Sequence, residues 1–187
     1  MSLTFEIYQR VLSKTDQTID VAANEKKIRR IIELRDQKGV LILGHNYMTP
    51  LIYNLSEEDA RGDSLALARY ASRASAAIIL FDGVRFMAET AKIINPSKKV
   101  LIANKQAGCS LADPIRLEQV LQLKKEYPGR PVVTYINSYA DVKAESDLIC
   151  TSANAIKAIL HMAQESDSRQ IIFLPDTLMG KNLQTEL

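Results

Sequence analysis

Short apolar runs of strand length alternate with helical patterns along most of this chain, and this alternation limits the folds it can adopt. The runs occupy residues 40–43, 77–81, 100–103, 132–136, 148–150 and 171–174. Apolar residues at helical spacing separate most of them, over residues 63–74, 86–94, 114–127 and 152–164. Strands that are apolar throughout must be covered on both faces, which indicates parallel sheets between layers of helices. The sequence therefore predicts an α/β fold of αβα layers.

The segment before the first run is helical in pattern. Residues 4–13 are amphipathic, a polar stretch follows through residue 22, and residues 24–37 carry apolar residues at helical spacing up to Gly39. A rhythm of strand, polar turn and helix then recurs on both sides of residues 104–113. We therefore predict an N-terminal helical extension over residues 1–23, a first αβα domain over 24–106, and a second, incomplete αβα domain over 107–187.

Composition excludes several classes of protein. A chain of 187 residues with 47% hydrophobic content can bury a core, and a net charge of +2 is too small to suggest a nucleic-acid partner. No apolar stretch approaches the roughly eighteen residues of a membrane span, and the N-terminus has no signal-peptide pattern. Two cysteines do not make a disulfide framework. These features predict a cytoplasmic protein with no membrane partner.

The turns that follow the apolar runs are where chemistry is expected, because parallel sheets bind ligands beyond the carboxyl ends of their strands. These turns are polar, at residues 44–47, 82–85, 104–109, 137–139, 151–154 and 175–176. The sequence contains no P-loop, dinucleotide fingerprint, zinc ribbon or nucleophile elbow. Candidate sites therefore have to be weighed turn by turn.

His45 and Tyr47 follow the first run at positions i and i+2 of an extended segment, so both side chains can reach one ligand. A structural histidine beside a packed tyrosine is the alternative interpretation. In the motif Gly62-Asp63-Ser64, Asp63 is a good helix N-cap and Ser64 lies near N–H groups that suit phosphate or carboxylate. Capping without a ligand also explains this motif.

Three polar residues follow later runs. Tyr135 and Asn137 share one side of a strand's carboxyl end, and asparagine there indicates strand termination or ligand contact. Ser152 precedes a helix that it could cap, or it could hold an anion. His161 lies in the middle of a helix without an acidic or cysteine partner at ligand spacing, so we assign it to the surface or to packing.

The segment Ala-Gly-Cys-Ser-Leu-Ala-Asp at residues 107–113 places Cys109 in a tight turn before a predicted helix. Neighbouring N–H groups and a helix dipole favour the thiolate, which is either a nucleophile or a metal ligand. The other cysteine, Cys150, ends an apolar run, and we interpret it as a buried structural thiol.

Taken in order, these turns resemble quinolinate synthase, an iron–sulfur enzyme family of NAD biosynthesis. The matching segments are Gly-His-Asn-Tyr at 44–47, the Gly-Asp-Ser motif and helix at 62–70, Gly-Val-Arg-Phe-Met-Ala-Glu-Thr-Ala-Lys at 83–92, the cysteine segment at 107–113, Val-Thr-Tyr-Ile-Asn at 133–137 and Cys-Thr-Ser-Ala-Asn-Ala at 150–155. Met48 and the segment 176–180 depart from the family's usual pattern. The resemblance covers roughly the first half of the family's length.

The resemblance implies three similar αβα domains around a pseudo-threefold axis, of which this chain resembles the first two. It implies a four-iron four-sulfur cluster held by one cysteine from each domain, with an open iron that acts as a Lewis acid. The implied reaction is a transferase-type condensation of iminoaspartate with dihydroxyacetone phosphate to quinolinate, phosphate and water. L-aspartate oxidase is the implied functional partner.

The resemblance also assigns roles by motif. Cys109 resembles the family's first cluster ligand, and His45 and Tyr47 resemble its catalytic pair. The residues that resemble its substrate contacts are His45, Ser64, Tyr135, Asn137 and Ser152.

One thiolate cannot hold a cluster that needs three protein ligands. The resemblance therefore predicts little or no quinolinate synthesis by these 187 residues alone. One alternative is a non-catalytic remnant or small-molecule-binding module that keeps half of the substrate pocket. Another is assembly with a separately encoded C-terminal half, which predicts an exposed apolar surface.

Overall fold

The structure is a computed structural model that describes residues 3–15, 20–166 and 168–187. Parallel strands alternate with helices along the chain, which divides into two compact units, residues 1–107 and 108–187. The predicted α/β fold with parallel sheets is thereby confirmed. None of the helices in the described ranges is long and apolar enough to cross a membrane.

The first unit contains a sheet whose strand pairings are all parallel. Its elements are α1 (Phe5–Thr15), α2 (Val21–Lys38), β1 (Val40–His45), α3 (Pro50–Tyr53), a 3₁₀ turn (Glu58–Ala60), β2 (Arg61–Gly62), α4 (Ser64–Arg73), β3 (Ile78–Asp82), α5 (Arg85–Ile94) and β4 (Lys99–Ile102). The strand order is β2-β1-β3-β4. Because β1 has neighbours on both sides, its carboxyl end lies within the edge of the sheet where ligands are expected.

Local capping fixes where α2 begins and ends. The Asp20 carboxylate accepts a hydrogen bond from the N–H of Ala23 at 3.1 Å. Gly39 ends the helix in the left-handed conformation, with φ of 59°, and the chain enters β1 at the next residue. The helix starts at Val21, slightly earlier than predicted. Part of the predicted polar stretch, residues 16–19, lies outside the described residues, as do residues 1–2 of the predicted extension.

Helices α1 and α2 pack against the sheet of the first unit. Tyr8 and Leu12 of α1, Ile28 of α2 and Ile42 of β1 are buried in one apolar cluster. The hydroxyl of Tyr8 donates a hydrogen bond to the carbonyl of Leu51 at 2.7 Å, which satisfies the polar atom of this buried ring. The cluster anchors β1 from one face and so fixes the strand that ends at the candidate site.

The second unit is a three-layer arrangement around a smaller parallel sheet. Its elements are α6 (Leu117–Glu126), β5 (Val132–Tyr135), α7 (Ala140–Ala144), β6 (Leu148–Cys150), α8 (Ala155–Glu165), β7 (Ile172–Leu174) and α9 (Thr177–Glu186), and the strand order is β6-β5-β7. Val133 of β5 packs with Ile159 of α8, whereas Val132 packs with Val120 of α6 and Val142 of α7. Adjacent strand residues point to opposite faces, so helices cover both faces of this sheet.

Candidate functional site

His45 ends β1 at the carboxyl edge of the first sheet and is only 6% exposed. It pairs in register with Gly62 of β2, and the N–H of Asn46 donates to the Gly62 carbonyl at 3.1 Å. Because α4 begins at Ser64, two residues after Gly62, this pairing places two predicted site residues, His45 and Ser64, at the same edge of the sheet.

The imidazole of His45 has a defined tautomer. Its Nδ1 accepts a hydrogen bond from the N–H of Tyr47 at 3.3 Å, so the proton of the neutral ring lies on Nε2. Burial lowers the pKa of His45, and the Asp63 carboxylate partly opposes that change. His45 is therefore a neutral imidazole at neutral pH, with Nε2–H as its donor.

Tyr47 lies beside His45 with its side chain in solvent. It is 88% exposed, and its ring meets the His45 ring edge to face, with centroids 4.8 Å apart. The two side chains lie together, as their i, i+2 spacing predicts. The alternative of a packed tyrosine does not agree with this exposure, and the phenol is accessible to a ligand that reaches His45.

Asp63 and Ser64 begin α4. The Asp63 carboxylate accepts a hydrogen bond from the N–H of Ala66 at 2.9 Å and is the N-cap, as the sequence predicts. Ser64 is the half-buried first residue of the helix. The first-turn N–H groups to which Asp63 does not bind suit a carboxylate or phosphate. The Ser64 hydroxyl thus remains a candidate contact, while Asp63 has a structural role.

The second sheet brings the remaining substrate candidates to one edge. Tyr135 pairs in register with Cys150, and the N–H of Ile136 donates to the Cys150 carbonyl at 2.8 Å. Tyr135 and Asn137 are half-buried at the end of β5, and Ser152 is exposed just after β6. These three predicted contacts therefore share the carboxyl edge of the second unit's sheet.

Ser152 lies in a turn held by its neighbours. The Asn154 carboxamide oxygen accepts hydrogen bonds from the N–H of Thr151 at 2.7 Å and from the Thr151 hydroxyl at 3.0 Å. The helix begins at Ala155. Ser152 is thus not the residue before α8, and its exposed hydroxyl is available for an anion rather than for capping.

Cys109 lies in a turn at the start of the second unit. Its carbonyl accepts hydrogen bonds from the N–H groups of Ala112 at 2.8 Å and Asp113 at 2.9 Å. The Asp113 carboxylate in turn accepts a hydrogen bond from the Tyr139 hydroxyl at 2.7 Å. A Cβ added to Gly108 would lie 3.4 Å from Asp113 Oδ2 and 3.7 Å from Tyr139 Oη. The glycine before Cys109 therefore packs closely against a hydrogen-bonded pair.

The helix expected directly after the cysteine turn starts later than predicted. Residues 110–114 form turns, and α6 begins at Leu117. The prediction of a helix from residue 114, with its dipole acting on the thiol, is therefore wrong in this detail, since the dipole acts only near the first helical turn. The Cys109 side chain is half-buried.

The chain's cysteines do not form a complete cluster site. Cys150 is 1% exposed within β6, where burial raises the pKa of its thiol to about 11, in agreement with a packing role. Within the described ranges no three histidine, cysteine or acidic side chains are grouped so that they could hold a metal ion. A four-iron four-sulfur cluster with one open iron needs three protein thiolates, more than the two cysteines of these 187 residues supply.

Asp82 is a site-edge residue absent from the predicted set. It ends β3, is 7% exposed and pairs in register with Gly44 of β1, one residue before His45. Burial raises the pKa of its carboxyl to about 6. A carboxylate at the end of an apolar run is a signal that sequence analysis can use to find Asp82. The burial of this carboxyl could not be predicted from the run itself.

Asp113 and Tyr139 were also absent from the predicted site residues. Asp113 lies within the Cys109 segment, but Tyr139 is 26 positions further along the chain. Their contact depends on the fold, and no spacing rule connects them. His161, assigned to the surface or to packing, is exposed on α8.

Comparison with known proteins gives one consistent family. A family model described as "NadA: Quinolinate synthetase A protein" matches residues 29–187. The chain is 48% identical over 156 residues to a quinolinate synthase of Caulobacter vibrioides, a match that covers 83% of this chain and 42% of the relative. It is 46% identical over 180 residues to quinolinate synthase 2 of Mesorhizobium japonicum, covering 96% of this chain and 54% of the relative.

A third relative, the quinolinate synthase of Sulfurihydrogenibium sp., is 47% identical over 164 residues, which cover 88% of this chain and 51% of the relative. In each case, the match extends over most of this chain. The chain spans about half the length of the curated relatives it matches.

Proposed function

This chain belongs to the quinolinate synthase family, and we propose that it supplies the first part of an active site that condenses iminoaspartate with dihydroxyacetone phosphate to quinolinate, phosphate and water. The observation that carries the proposal is the gathering of the motif residues at sheet edges. His45 and Ser64 lie at the carboxyl edge of the first sheet. Tyr135, Asn137 and Ser152 lie at that of the second.

In this proposal His45 donates a hydrogen bond through Nε2–H to an oxygen of the substrate. The condensation forms one carbon–carbon and one carbon–nitrogen bond and releases phosphate and two molecules of water, steps that need protons to be given and taken near the reacting oxygens. The hydrogen bond from Tyr47 N–H to Nδ1 fixes the tautomer and the orientation of the ring. The exposed phenol of Tyr47 contacts the same ligand from the solvent side.

Both proposed substrates are anionic, one a dicarboxylate and the other a phosphate ester. Ser64 and the first-turn N–H groups of α4 provide donors for such a group. In the second unit, Tyr135, Asn137 and Ser152 provide hydroxyl and carboxamide donors. Neutral donors of this kind orient an anion. We propose that each of these side chains contacts a substrate.

A four-iron four-sulfur cluster with an open iron would supply a Lewis acid for a substrate carboxylate or hydroxyl. We assign Cys109 as one of its ligands. The described residues hold no complete ligand group, so no step is assigned to a cluster bound by this chain alone. We place the protein in the cytoplasm, with L-aspartate oxidase as the functional partner that delivers iminoaspartate.

Because the described residues do not provide a complete set of cluster ligands, they also support a second candidate function that needs no metal. A small-molecule-binding module could keep the dicarboxylate contacts of His45 and Ser64 without any metal. The two candidates share the substrate contacts and differ in metal content and turnover, so they need separate measurements.

Calorimetric titration of the 187-residue chain with malate tests the shared substrate contacts. We expect weak binding that is lost in His45→Gln and retained in His161→Gln, because His161 is exposed on α8. Absence of binding, or equal binding by both variants, would contradict both candidate functions.

Anaerobic purification with iron and acid-labile sulfide analysis separates the candidates. The enzyme proposal predicts iron and sulfide when this chain is co-expressed with the part of the Caulobacter vibrioides relative that follows its matched segment, and a loss of both in Cys109→Ser but not in Cys150→Ser. The co-expressed pair should also form quinolinate from L-aspartate, L-aspartate oxidase and dihydroxyacetone phosphate. A pair that holds no metal and forms no quinolinate, while this chain binds malate, supports the binding module and rules out the enzyme proposal.

A further inference from the structure

Asp82 places a buried carboxyl at the edge of the first unit's sheet where ligands are expected. The residue ends β3 and is 7% exposed, and within the described ranges its side chain accepts no hydrogen bond and forms no ion pair. Neither of its oxygens is among the fully enclosed side-chain polar atoms that lack a partner, so both oxygens reach solvent at this edge. Asp82 therefore offers an acceptor that the fold itself does not use.

The register of the sheet determines the direction of the Asp82 side chain. Asp82 pairs with Gly44, which pairs with Arg61 on its other side. Residues paired in register point to the same face of a sheet. A Cβ added to Gly44 would overlap the hydroxyl of Ser56, in the segment that follows α3. The side chains of Asp82 and Arg61 therefore leave the sheet on the face that this segment covers.

Arg61 does not neutralise Asp82, although both lie in this row. The Arg61 guanidinium donates to the carbonyl of Ser56 at 2.7 Å and lies over the ring of Tyr53, 5.1 Å from its centroid. Neighbouring strands are about 4.8 Å apart, so two such spacings separate the backbones of Arg61 and Asp82. The cation of the row is thus bound to the segment after α3, and the charge of Asp82 is not compensated by it.

Other carboxylates that follow strands have partners in the fold. Asp63 and Asp176 cap helices, and Asp113 accepts the hydrogen bond from Tyr139. The side chains proposed above as substrate contacts are neutral hydrogen-bond donors, which suit the oxygens of carboxylate and phosphate groups. The N–H of a substrate amine or imine needs an acceptor instead, and Asp82 supplies one at the edge of the first sheet.

The energetics of Asp82 agree with a role in binding. Burial raises the pKa of its carboxyl to about 6, so most of the group is ionised at pH 7 without a partner in the described parts of the chain. A buried charge of this kind costs stability. Residues that lower stability in the free protein are typical of sites that serve a ligand.

We propose that Asp82 is a specificity-determining residue that accepts a hydrogen bond from the nitrogen of an amino or imino dicarboxylate bound at the edge of the first sheet. This role rests on the proposed function, because the ligand is the nitrogen-bearing substrate of that reaction. His45 follows Gly44 and so points to the face opposite Asp82. A ligand seated over the strand ends lies between the imidazole donor and the carboxylate acceptor. The Asp82 charge also repels a dicarboxylate that carries no nitrogen, which adds to the selectivity.

Calorimetric titration of the 187-residue chain with L-aspartate and with succinate at pH 7 tests this role, because the two ligands differ by one ammonium group. We expect L-aspartate to bind about tenfold more tightly than succinate. In Asp82→Asn this preference should disappear, with weaker binding of L-aspartate and tighter binding of succinate, because the variant removes both the attraction and the repulsion. Asp59→Asn, an exposed carboxyl in the same unit, should keep the preference.

The comparison of the two ligands in the parent protein does not depend on how the variant folds. Equal binding of L-aspartate and succinate by the parent protein, together with binding of malate, overturns the role of Asp82 and leaves the proposed function in place. The role is also overturned if Asp82→Asn keeps the preference or changes both affinities in the same direction, as a merely structural residue would. Absence of binding by all three ligands contradicts the proposed function and, with it, the role of Asp82.

Discussion

The hydroxyl of Tyr139 donates a hydrogen bond to the carboxylate of Asp113 at 2.7 Å, and the glycine preceding Cys109 packs against this pair. Tyr139 is 8% exposed and follows the end of β5, whereas Asp113 belongs to the cysteine turn. The bond therefore ties the turn to the sheet that carries Tyr135 and Asn137. We regard Asp113 and Tyr139 as positioning residues for the Cys109 thiol.

Removing this bond should loosen the cysteine turn. An intramolecular hydrogen bond contributes about 0.5–1.5 kcal/mol net, so we expect Tyr139→Phe to lower the free energy of unfolding by about that amount. Cys109 should react with a thiol-specific reagent about tenfold faster in the native protein. Cys150 is buried and does not contribute to the native signal. Tyr127→Phe is the matched control, and equal rates in both variants would show that the pair does not position the thiol.

The tautomer of His45 gives a second prediction. Nitrogen NMR of the imidazole should show the proton on Nε2 and a pKa below the ordinary value of 6.5, because the ring is buried. The unfolded chain binds this proton more readily, so the contribution of His45 to stability should be lost as pH falls below about 6.5. His161→Gln assigns the signal, since the chain has two histidines.

Asp63→Asn tests the effect of the Asp63 charge on the pKa of His45. Asparagine is also a good N-cap, so α4 should remain intact. The Asp63 carboxylate raises the pKa of His45, and its removal should lower that pKa further. A rise in the His45 pKa in this variant, or a proton on Nδ1 in the parent protein, would contradict the geometry described for the site.

Six of the described strands could be predicted because each coincides with a continuous apolar run bounded by polar turns, which β2 does not. The positions of the candidate turns could then be predicted, because parallel sheets bind ligands beyond the carboxyl ends of their strands. The short elements α3, β2 and α7 carry too few residues to show a period. Helix α9 was missed because only Leu183 is buried on it and Gly180 interrupts its interior.

Contacts between side chains of the candidate site could be predicted only where neighbours in sequence are also neighbours in space. His45 and Tyr47 satisfy this condition, and their rings meet. The contact of Asp113 with Tyr139 does not, because it depends on where β5 ends relative to the cysteine turn. The burial of Asp82 likewise depends on the packing around the end of β3.

Gly44 is predicted to tolerate no side chain. A Cβ at this position would overlap the hydroxyl of Ser56 and lie 3.1 Å from the carbonyl of Tyr53. Gly44→Ala should therefore lower the free energy of unfolding by about 1–3 kcal/mol, measured by chemical denaturation. Adding Ser56→Gly removes the overlapping atom and should recover part of the loss. Additive losses in the double variant would show that this contact is not the cause.

Asp82 is expected to destabilise the folded protein at neutral pH. Its pKa rises from the ordinary value of 3.8 to about 6 on folding, because burial penalises the charged form. The folded state therefore holds this proton more tightly than the unfolded chain, and the free energy of unfolding falls as pH rises between these two values. Each pKa unit corresponds to about 1.4 kcal/mol, so the loss approaches about 3 kcal/mol above pH 6.

Asp82→Asn removes this ionisation and should make the protein more stable by about 2–3 kcal/mol at pH 7, with little change at pH 4. Denaturation curves at both pH values measure the difference between the variant and the parent protein, which cancels the titration of other groups. Asp59→Asn, an exposed carboxyl in the same unit, is the matched control and should show no comparable gain. Equal effects at the two pH values would mean that Asp82 is held charged by a partner, and that its burial does not shift its ionisation.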